Sequence, residues 1–391
     1  MQYTSTRDST LRVSSSVAIA NGLSPEGGLY VPNEIPSVGH EWIESLASRE
    51  YTERALKVLS LYLSDFSLRE LRTAIEDAYT NDVFEEDWVA PLSDLSDGRY
   101  ILELYHGPTC AFKDMALQLM PRLLVTAADR ALDGKQVMIL VATSGDTGKA
   151  ALEGFRDIAG VKIAVFYPNE GVSPMQRLQM TSQKGGNVSV FAIEGNFDDA
   201  QREVKRIFTD DAIIKALDQH HTVLSSANSI NWGRLAPQIV YYFSAYADLV
   251  GCGDLMMGEK VNFVVPTGNF GNILAGYYAM RMGLPINQLI CASNRNNVLT
   301  DFIRTGVYDA NRTFYTTLSP SMDILVSSNL ERLLFELTER DCNAVAEMMQ
   351  KLQQTRRYEI DSALQQKLRQ SFWGGYVTDA HCEEKIHETF Q

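Results

Sequence analysis

The chain has 391 residues, 45% hydrophobic and 21% charged, with 49 acidic side chains against 35 Lys and Arg and a net charge of −14. That is the make-up of a globular protein long enough for two or three domains. So acidic a chain argues against nucleic acid and anionic membranes as general partners, and leaves room for a local basic pocket around a small anion.

From the N-terminus, Tyr3-Thr4-Ser5-Thr6-Arg7 opens the chain, and residues 24–32 read as a turn leading into a short strand. Helical spacing follows in Leu56, Leu59 and Leu63, then in Leu68, Leu71, Ile75 and Tyr79. Residues 1–90 therefore read as a small, mostly helical N-terminal domain, with 87–92 as the hinge out of it. Residues 100–104 read as a strand. His106-Gly107-Pro108 is a turn, and from Phe112 a helical stripe runs through Met115, Leu119 and Leu123. Beyond it the pattern alternates. Strands are expected at 137–141, 161–166, 188–193, 261–265 and 289–292, and helices at 149–155, 175–180, 198–208 and 273–282. Continuous apolar runs suit parallel strands buried on both faces. Residues 91–330 are thus expected to form a catalytic α/β region with mostly parallel sheet and helices on both faces. Residues 331–391 read as a helical C-terminal extension, with helices at 330–337, 343–354 and 359–370. Trp373-Gly374-Gly375-Tyr376 reads as a turn, and a last short helix ends at His387.

Residues 1–13 are polar and lack the apolar stretch of a secretory leader, and no segment approaches the roughly 18 apolar residues of a membrane span. Cys110, Cys252, Cys291, Cys342 and Cys382 lie far apart, without CxxC or zinc spacing. They read as reduced thiols of a cytoplasmic protein. No histidine pattern, including His381 and His387 around Cys382, supplies a metal site.

Lys113 sits where the 100–104 strand and its turn give way to a helix, a common position for a catalytic group in an open α/β sheet. Two readings stand. Lysines at helix starts are mostly solvated surface groups. One flanked by Phe112 and Met115 is partly desolvated, which lowers its pKa and yields the neutral amine that attacks carbonyls. Two Gly-rich turns each follow an apolar strand and open a helix: Ala142-Thr143-Ser144-Gly145-Asp146-Thr147-Gly148 and Pro266-Thr267-Gly268-Asn269-Phe270-Gly271-Asn272. Each is either a tight connector or an anion site built from backbone N–H groups. Neither is a nucleotide loop, because Gly145 and Gly148 are too close and Ala150 stands where a magnesium-binding hydroxyl belongs. A reactive amine with one anion loop for a cofactor phosphate and one for a carboxylate is what a pyridoxal phosphate enzyme needs.

These residues, with Gly22 to Pro32, Phe112-Lys113-Asp114 and Ser226-Ala227-Asn228-Ser229-Ile230-Asn231-Trp232-Gly233-Arg234, closely resemble threonine synthase, a fold type II pyridoxal phosphate enzyme of the tryptophan synthase β-like group. The resemblance covers residues 1 to about 300. It implies two mostly parallel twisted-sheet subdomains beside the N-terminal domain, and pyridoxal 5′-phosphate as cofactor. It also implies conversion of O-phospho-L-homoserine and water to L-threonine and phosphate. Lys113 would carry the cofactor as a Schiff base and move protons. Gly268, Asn269, Phe270, Gly271 and Asn272 would bind the cofactor phosphate. Thr143, Ser144, Gly145, Asp146 and Thr147 would hold the substrate carboxylate, with Asp146 approaching the cofactor ring oxygen. Asn228, Ser229, Asn231 and Arg234 would recognise the substrate, with Arg234 either on its phosphate or in a structural ion pair. The family's C-terminal segment, with a hydroxyl for the pyridine nitrogen, has no counterpart after His381, so either a truncated form or another residue in that role is expected. A lyase on another phosphorylated or hydroxylated amino acid, or a non-catalytic remnant, stay as alternatives. The expected partner is a small molecule, and monomer or weak dimer is left open.

Overall fold

The computed structural model describes residues 1–143, 145–169, 172–195 and 197–390. Strand β1 (Tyr3–Ser5) pairs antiparallel with β2 (Tyr30–Pro32), and α1 (Ser15–Asn21) lies between them in sequence. Helices α2 (His40–Glu44), α3 (Tyr51–Tyr62) and α4 (Leu68–Ala78) follow. Ser67 and Glu70 begin α4 with a reciprocal capping box, which satisfies two otherwise orphaned N–H groups.

Strands β3 (Leu92–Asp94) and β4 (Tyr100–Leu102) form an antiparallel hairpin of their own. The strand expected at 100–104 therefore lies outside both large parallel sheets. Ser96, Asp97 and Gly98 all adopt positive φ (67°, 54° and 69°), and this tight turn folds β4 back on β3. The single helix expected from Phe112 is two, α5 (Asp114–Leu117) and α6 (Met120–Ala131). Pro121 has no N–H to give the Leu117 carbonyl, which instead packs against Gly154, where any Cβ would collide with it.

The first large sheet comes next. It contains β5 (Gln136–Ala142), β6 (Val161–Pro168), β7 (Val188–Ile193) and β8 (Thr222–Ser225), all parallel, in the order β7-β6-β5-β8. Its helices are α7 (Asp146–Phe155), α8 (Pro174–Thr181), α9 (Phe197–Thr209) and α10 (Asp211–Gln219). The helix α11 (Trp232–Cys252) is buried from Trp232 through Ala247, with Arg234, Gln238 and Ser244 buried among its apolar side chains. Then follow β9 (Val261–Pro266), α12 (Gly271–Met282), β10 (Ile286–Ser293), α13 (Val298–Thr305) and β11 (Val307–Asp309). A 3-10 turn at Pro320–Met322 leads to α14 (Leu330–Leu337), α15 (Cys342–Thr355), β12 (Arg357–Glu359), α16 (Ser362–Ser371), β13 (Phe372–Tyr376) and α17 (Asp379–Phe390).

The second large sheet is parallel, in the order β13-β10-β9. Residues 373–376, expected as a turn, are therefore a sheet strand. Their glycines serve close packing: a Cβ on Gly374 would lie 3.1 Å from Thr300 Cα, and Arg304 Nε donates to Gly374 O at 3.0 Å. The chain is thus α/β with two parallel-sheet units, as expected. Trp232 ties the parts together, with Tyr3, Tyr62 and Tyr278 around it at ring distances of 5.4, 5.5 and 5.4 Å. Among the described residues no helix is long and apolar enough to cross a membrane.

Candidate active site

Lys113 is the residue before α5, and its position is set by the turn ahead of it. The Asp114 carboxylate accepts Thr109 N–H at 2.8 Å and Thr109 Oγ1–H at 2.7 Å, folding 107–110 over the start of the helix. Gly107 is required there, since its Cβ would come within 2.8 Å of Asp114 Oδ2. Tyr79 fixes the other side by donating to Met115 O at 2.6 Å. His106 sits 2.6 Å from Glu103 and serves this turn.

Lys113 is 7% exposed. Its Nζ lies 3.2 Å from Asp146 Oδ2 and 3.1 Å from Ser321 Oγ. Burial pulls the amine below the usual lysine range; Asp146 opposes that shift and Arg234 adds to it. A surface role for Lys113 is thereby removed, since its amine points inward at two polar partners. Burial pushes the Asp146 carboxyl up, but Lys113 and Gln176 together outweigh it and hold it below the usual carboxylate range. Gln176 Nε2 donates to Asp146 Oδ1 at 2.7 Å, so both carboxylate oxygens are engaged.

The turn carrying Asp146 is tight. Gly145 has φ 151°, and a Cβ there would fall on the Gln176 side chain. Thr143 is buried and its hydroxyl accepts the N–H groups of Gly145 and Gly148, each at 3.0 Å. Its hydroxyl therefore shapes the turn. Thr147 is half-buried on the first turn of α7, and Ser144 lies outside the described residues.

The second turn opens α12. Phe270 is buried with φ 64°, packed against Phe372 with ring centres 5.5 Å apart. Among the described residues, the backbone N–H groups of Gly268, Asn269, Phe270, Gly271 and Asn272 meet no backbone acceptor outside α12. They form a cradle at a helix N-terminus, whose dipole favours an anion. The Asn272 side chain is spent internally, its Oδ1 accepting from Tyr241 at 2.6 Å and Tyr242 at 2.9 Å. The two turns and Lys113 meet through Ser321. A Cβ on Gly268 would lie 2.9 Å from Ser321 O, while Ser321 Oγ touches Lys113.

Asn228, Ser229, Asn231 and Arg234 do not act alike. Asn231 is fully buried and caps α11. Its Nδ2 donates to Ile19 O at 2.9 Å and Ser226 O at 3.0 Å, and its Oδ1 accepts Gly233 N–H at 2.8 Å. This corrects its expected place at the substrate, because every polar atom of the amide is committed to the backbone. Asn228 and Ser229 are half-buried, with Ser229 Cβ 3.8 Å from the Cβ position of Gly271. Arg234 is 5% exposed and bonds Ala227 O at 2.9 Å. It makes no ion pair among the described residues, so the structural-ion-pair alternative falls away. Burial alone pushes its pKa down to about 10. A buried guanidinium with no carboxylate, close enough to lower the Lys113 pKa, is suited to an incoming anion.

Two family models match the chain: threonine synthase N terminus over residues 2–79, and pyridoxal-phosphate dependent enzyme over residues 91–363. A threonine synthase of Pseudomonas aeruginosa is 42% identical over 392 residues, covering 100% of this chain and 80% of its own. The chain belongs to the threonine synthase family. Among solved structures, a pyridoxal phosphate-bound threonine synthase from Brucella melitensis superimposes with TM-score 0.88 at 43% identity, over 97% of this chain and 78% of that one. Yeast threonine synthase gives TM-score 0.90 at 35% identity, over 100% and 79%. The human protein threonine synthase-like 1 is 43% identical over 386 residues, and there the chain spans 51% of the relative's length.

Within this family member, sequence reasoning missed three residues that complete the site. Gln176 and Ser321 both bond Asp146, and Asn329 joins the α12 cradle to its surroundings through Asn269 O at 3.1 Å and Ser229 O at 3.0 Å. None lies in a glycine-rich turn. The run of residues 319–323 around a proline was the one local hint of a tight structure near Ser321.

Proposed function

We propose that the chain forms L-threonine and phosphate from O-phospho-L-homoserine and water, as a lyase using pyridoxal 5′-phosphate bound at Lys113. The observation that carries this reading is the buried Lys113 amine, held between Asp146 and Ser321 beside a helix-start cradle of unpaired N–H groups. The residues fit the cofactor. Lys113 offers the amine, and the 268–272 backbone suits a phosphate where Gly268 has no room for a Cβ. When bound, the cofactor supplies an electron sink that lets protons leave the α and β carbons of an amino acid.

The chain's own groups do the rest. Lys113 moves protons, and its lowered pKa brings it towards the range where one amine both takes and returns a proton. Asp146 stays ionised and holds that amine in line. The 143–147 turn presents its helix start to the substrate carboxylate, with Gly145 and Thr147 at its rim. Arg234 offsets the substrate phosphate, with Asn228 and Ser229 alongside. Phosphate leaves the γ carbon and water adds at the β carbon. We also infer a division into residues 1–90, 91–330 and 331–391, the last docked by β13, and a cytoplasmic, small-molecule role. The test is product analysis with cofactor-loaded chain and O-phospho-L-homoserine. Threonine and phosphate in equal amounts are expected; phosphate release without threonine, or no turnover, would remove the reading.

A further inference from the structure

We propose that Ser321 is a positioning residue for Lys113, its hydroxyl bridging the amine to Asp146 so that the amine is held in one orientation and keeps its proton more firmly. This deepens the reading of Lys113 as the cofactor-bearing amine and rests on it. The Ser321 hydroxyl donates to Asp146 Oδ2 and lies 3.1 Å from Lys113 Nζ. Its single proton goes to the carboxylate, so its lone pairs face the amine and accept an N–H. An acceptor at that place favours the ammonium form.

The strap bearing Ser321 is fixed. Asp323 accepts from Thr317 N at 2.9 Å, Thr317 Oγ1 at 2.8 Å, Asn294 Nδ2 at 2.8 Å and Asn296 Nδ2 at 3.0 Å. Ser319 N–H donates to Thr317 Oγ1, and Met322 N–H to Ser319 O, both at 3.0 Å. Gly268 lets the strap approach, since a Cβ there would press on Ser321 O at 2.9 Å. Asn294 and Asn296 follow β10 of the second sheet, whereas Asp146 follows β5 of the first. The bridge therefore spans the two sheet units at the reacting amine.

The other charged groups facing Lys113 are Asp146 from α7, Arg234 from α11 and Asp114 from its own helix. All three remain when Ser321 is changed, so a shift reports the hydroxyl. The experiment follows the Lys113 side-chain carbon signal by NMR against pH in cofactor-free chain labelled at lysine, with the signal assigned by Lys113→Arg. Ser321→Ala is expected to lower the titration midpoint by about half to one pH unit, the size of one lost bond to a charged group at a partly open site. Ser321→Thr, which keeps the hydroxyl, returns it to the native value. Ser321 is exposed, so truncating it leaves the core intact. An unchanged midpoint in Ser321→Ala, or a Thr variant as low as Ala, overturns the proposal. The visible band of chain mixed with pyridoxal phosphate is recorded in parallel. If native chain gives no Lys113-dependent band, the cofactor reading fails, while the amine titration still decides on Ser321.

Discussion

Replacing Asn329 with alanine cuts the knot between the α12 cradle and the rest of the site. The backbone bond from Asn329 N to Asn269 O survives. The side chain is fully buried, donates to Ser229 O at 3.0 Å and accepts from Arg332 Nη1 at 2.5 Å. Arg332 is itself fully buried, and its pKa is pushed down to about 10 by burial. Arg332 keeps its bonds to Tyr30 O and Ile230 O, and losing the third acceptor of this buried guanidinium costs about 2 kcal/mol, with about 1 more for orphaning the Ser229 carbonyl. The expected loss is therefore ~3 kcal/mol. With a urea slope of about 3 kcal/mol/M, the unfolding midpoint of cofactor-free chain falls by about 1 M. If half of the loss is felt at the cradle, pyridoxal phosphate affinity falls about tenfold. Asn329→Asp keeps the Arg332 acceptor but turns an oxygen on Ser229 O, and falls between the two. An alanine variant within about 0.2 M of native, with unchanged cofactor affinity, would refute the argument.

Gly145→Ala forces a side chain into a φ of 151° and onto Gln176; cofactor titration is expected to show binding weakened at least about tenfold, through loss of the Gln176–Asp146 bond. Arg234→Leu removes a buried cation without a carboxylate partner, so melting stays level or rises while KM for the phosphorylated substrate climbs about tenfold or more; a fall in melting with unchanged KM would assign Arg234 to the fold. Glu331→Ala breaks the paired bonds from Arg7, both 2.8 Å, and the Thr6 bond at 2.6 Å, so hydrogen exchange in residues 3–7 should accelerate. The folded-state pKa of Lys113 lies below that of the unfolded chain, which therefore holds the extra proton between the two values. Cofactor-free chain accordingly gains stability as pH rises from the folded value towards the ordinary lysine value, and loses it as pH falls. Melting of Lys113→Met should lack that gain.

Much of the fold is legible in the chain. The apolar runs at β5 and β6 are long because these parallel strands are covered on both faces, whereas β9 leaves Val264 exposed on one face. Other elements left no local mark. The helix α11 is buried around its whole circumference from Trp232 to Ala247, so its apolar residues form no single stripe to read. The paired glycines of β13 resemble a turn, yet they let α13 approach the strand. The break after α5 turns on Pro121, whose missing N–H a hydrophobic stripe does not register. At the site, the Lys113 motif and both glycine turns stand out because their backbones demand particular residues. Ser321, Gln176 and Asn329 are ordinary polar residues, 208, 63 and 216 positions from Lys113, and their role comes from tertiary placement. Asn231 misleads for the opposite reason: it lies in a motif, but its amide caps a helix.

The proposed chemistry rests on one amine. Chain loaded with pyridoxal phosphate, reduced with borohydride, digested and mapped by mass spectrometry should carry the pyridoxyl group on the peptide containing Lys113, and the label should vanish in Lys113→Ala. A label on another lysine, or undiminished labelling in that variant, would contradict it.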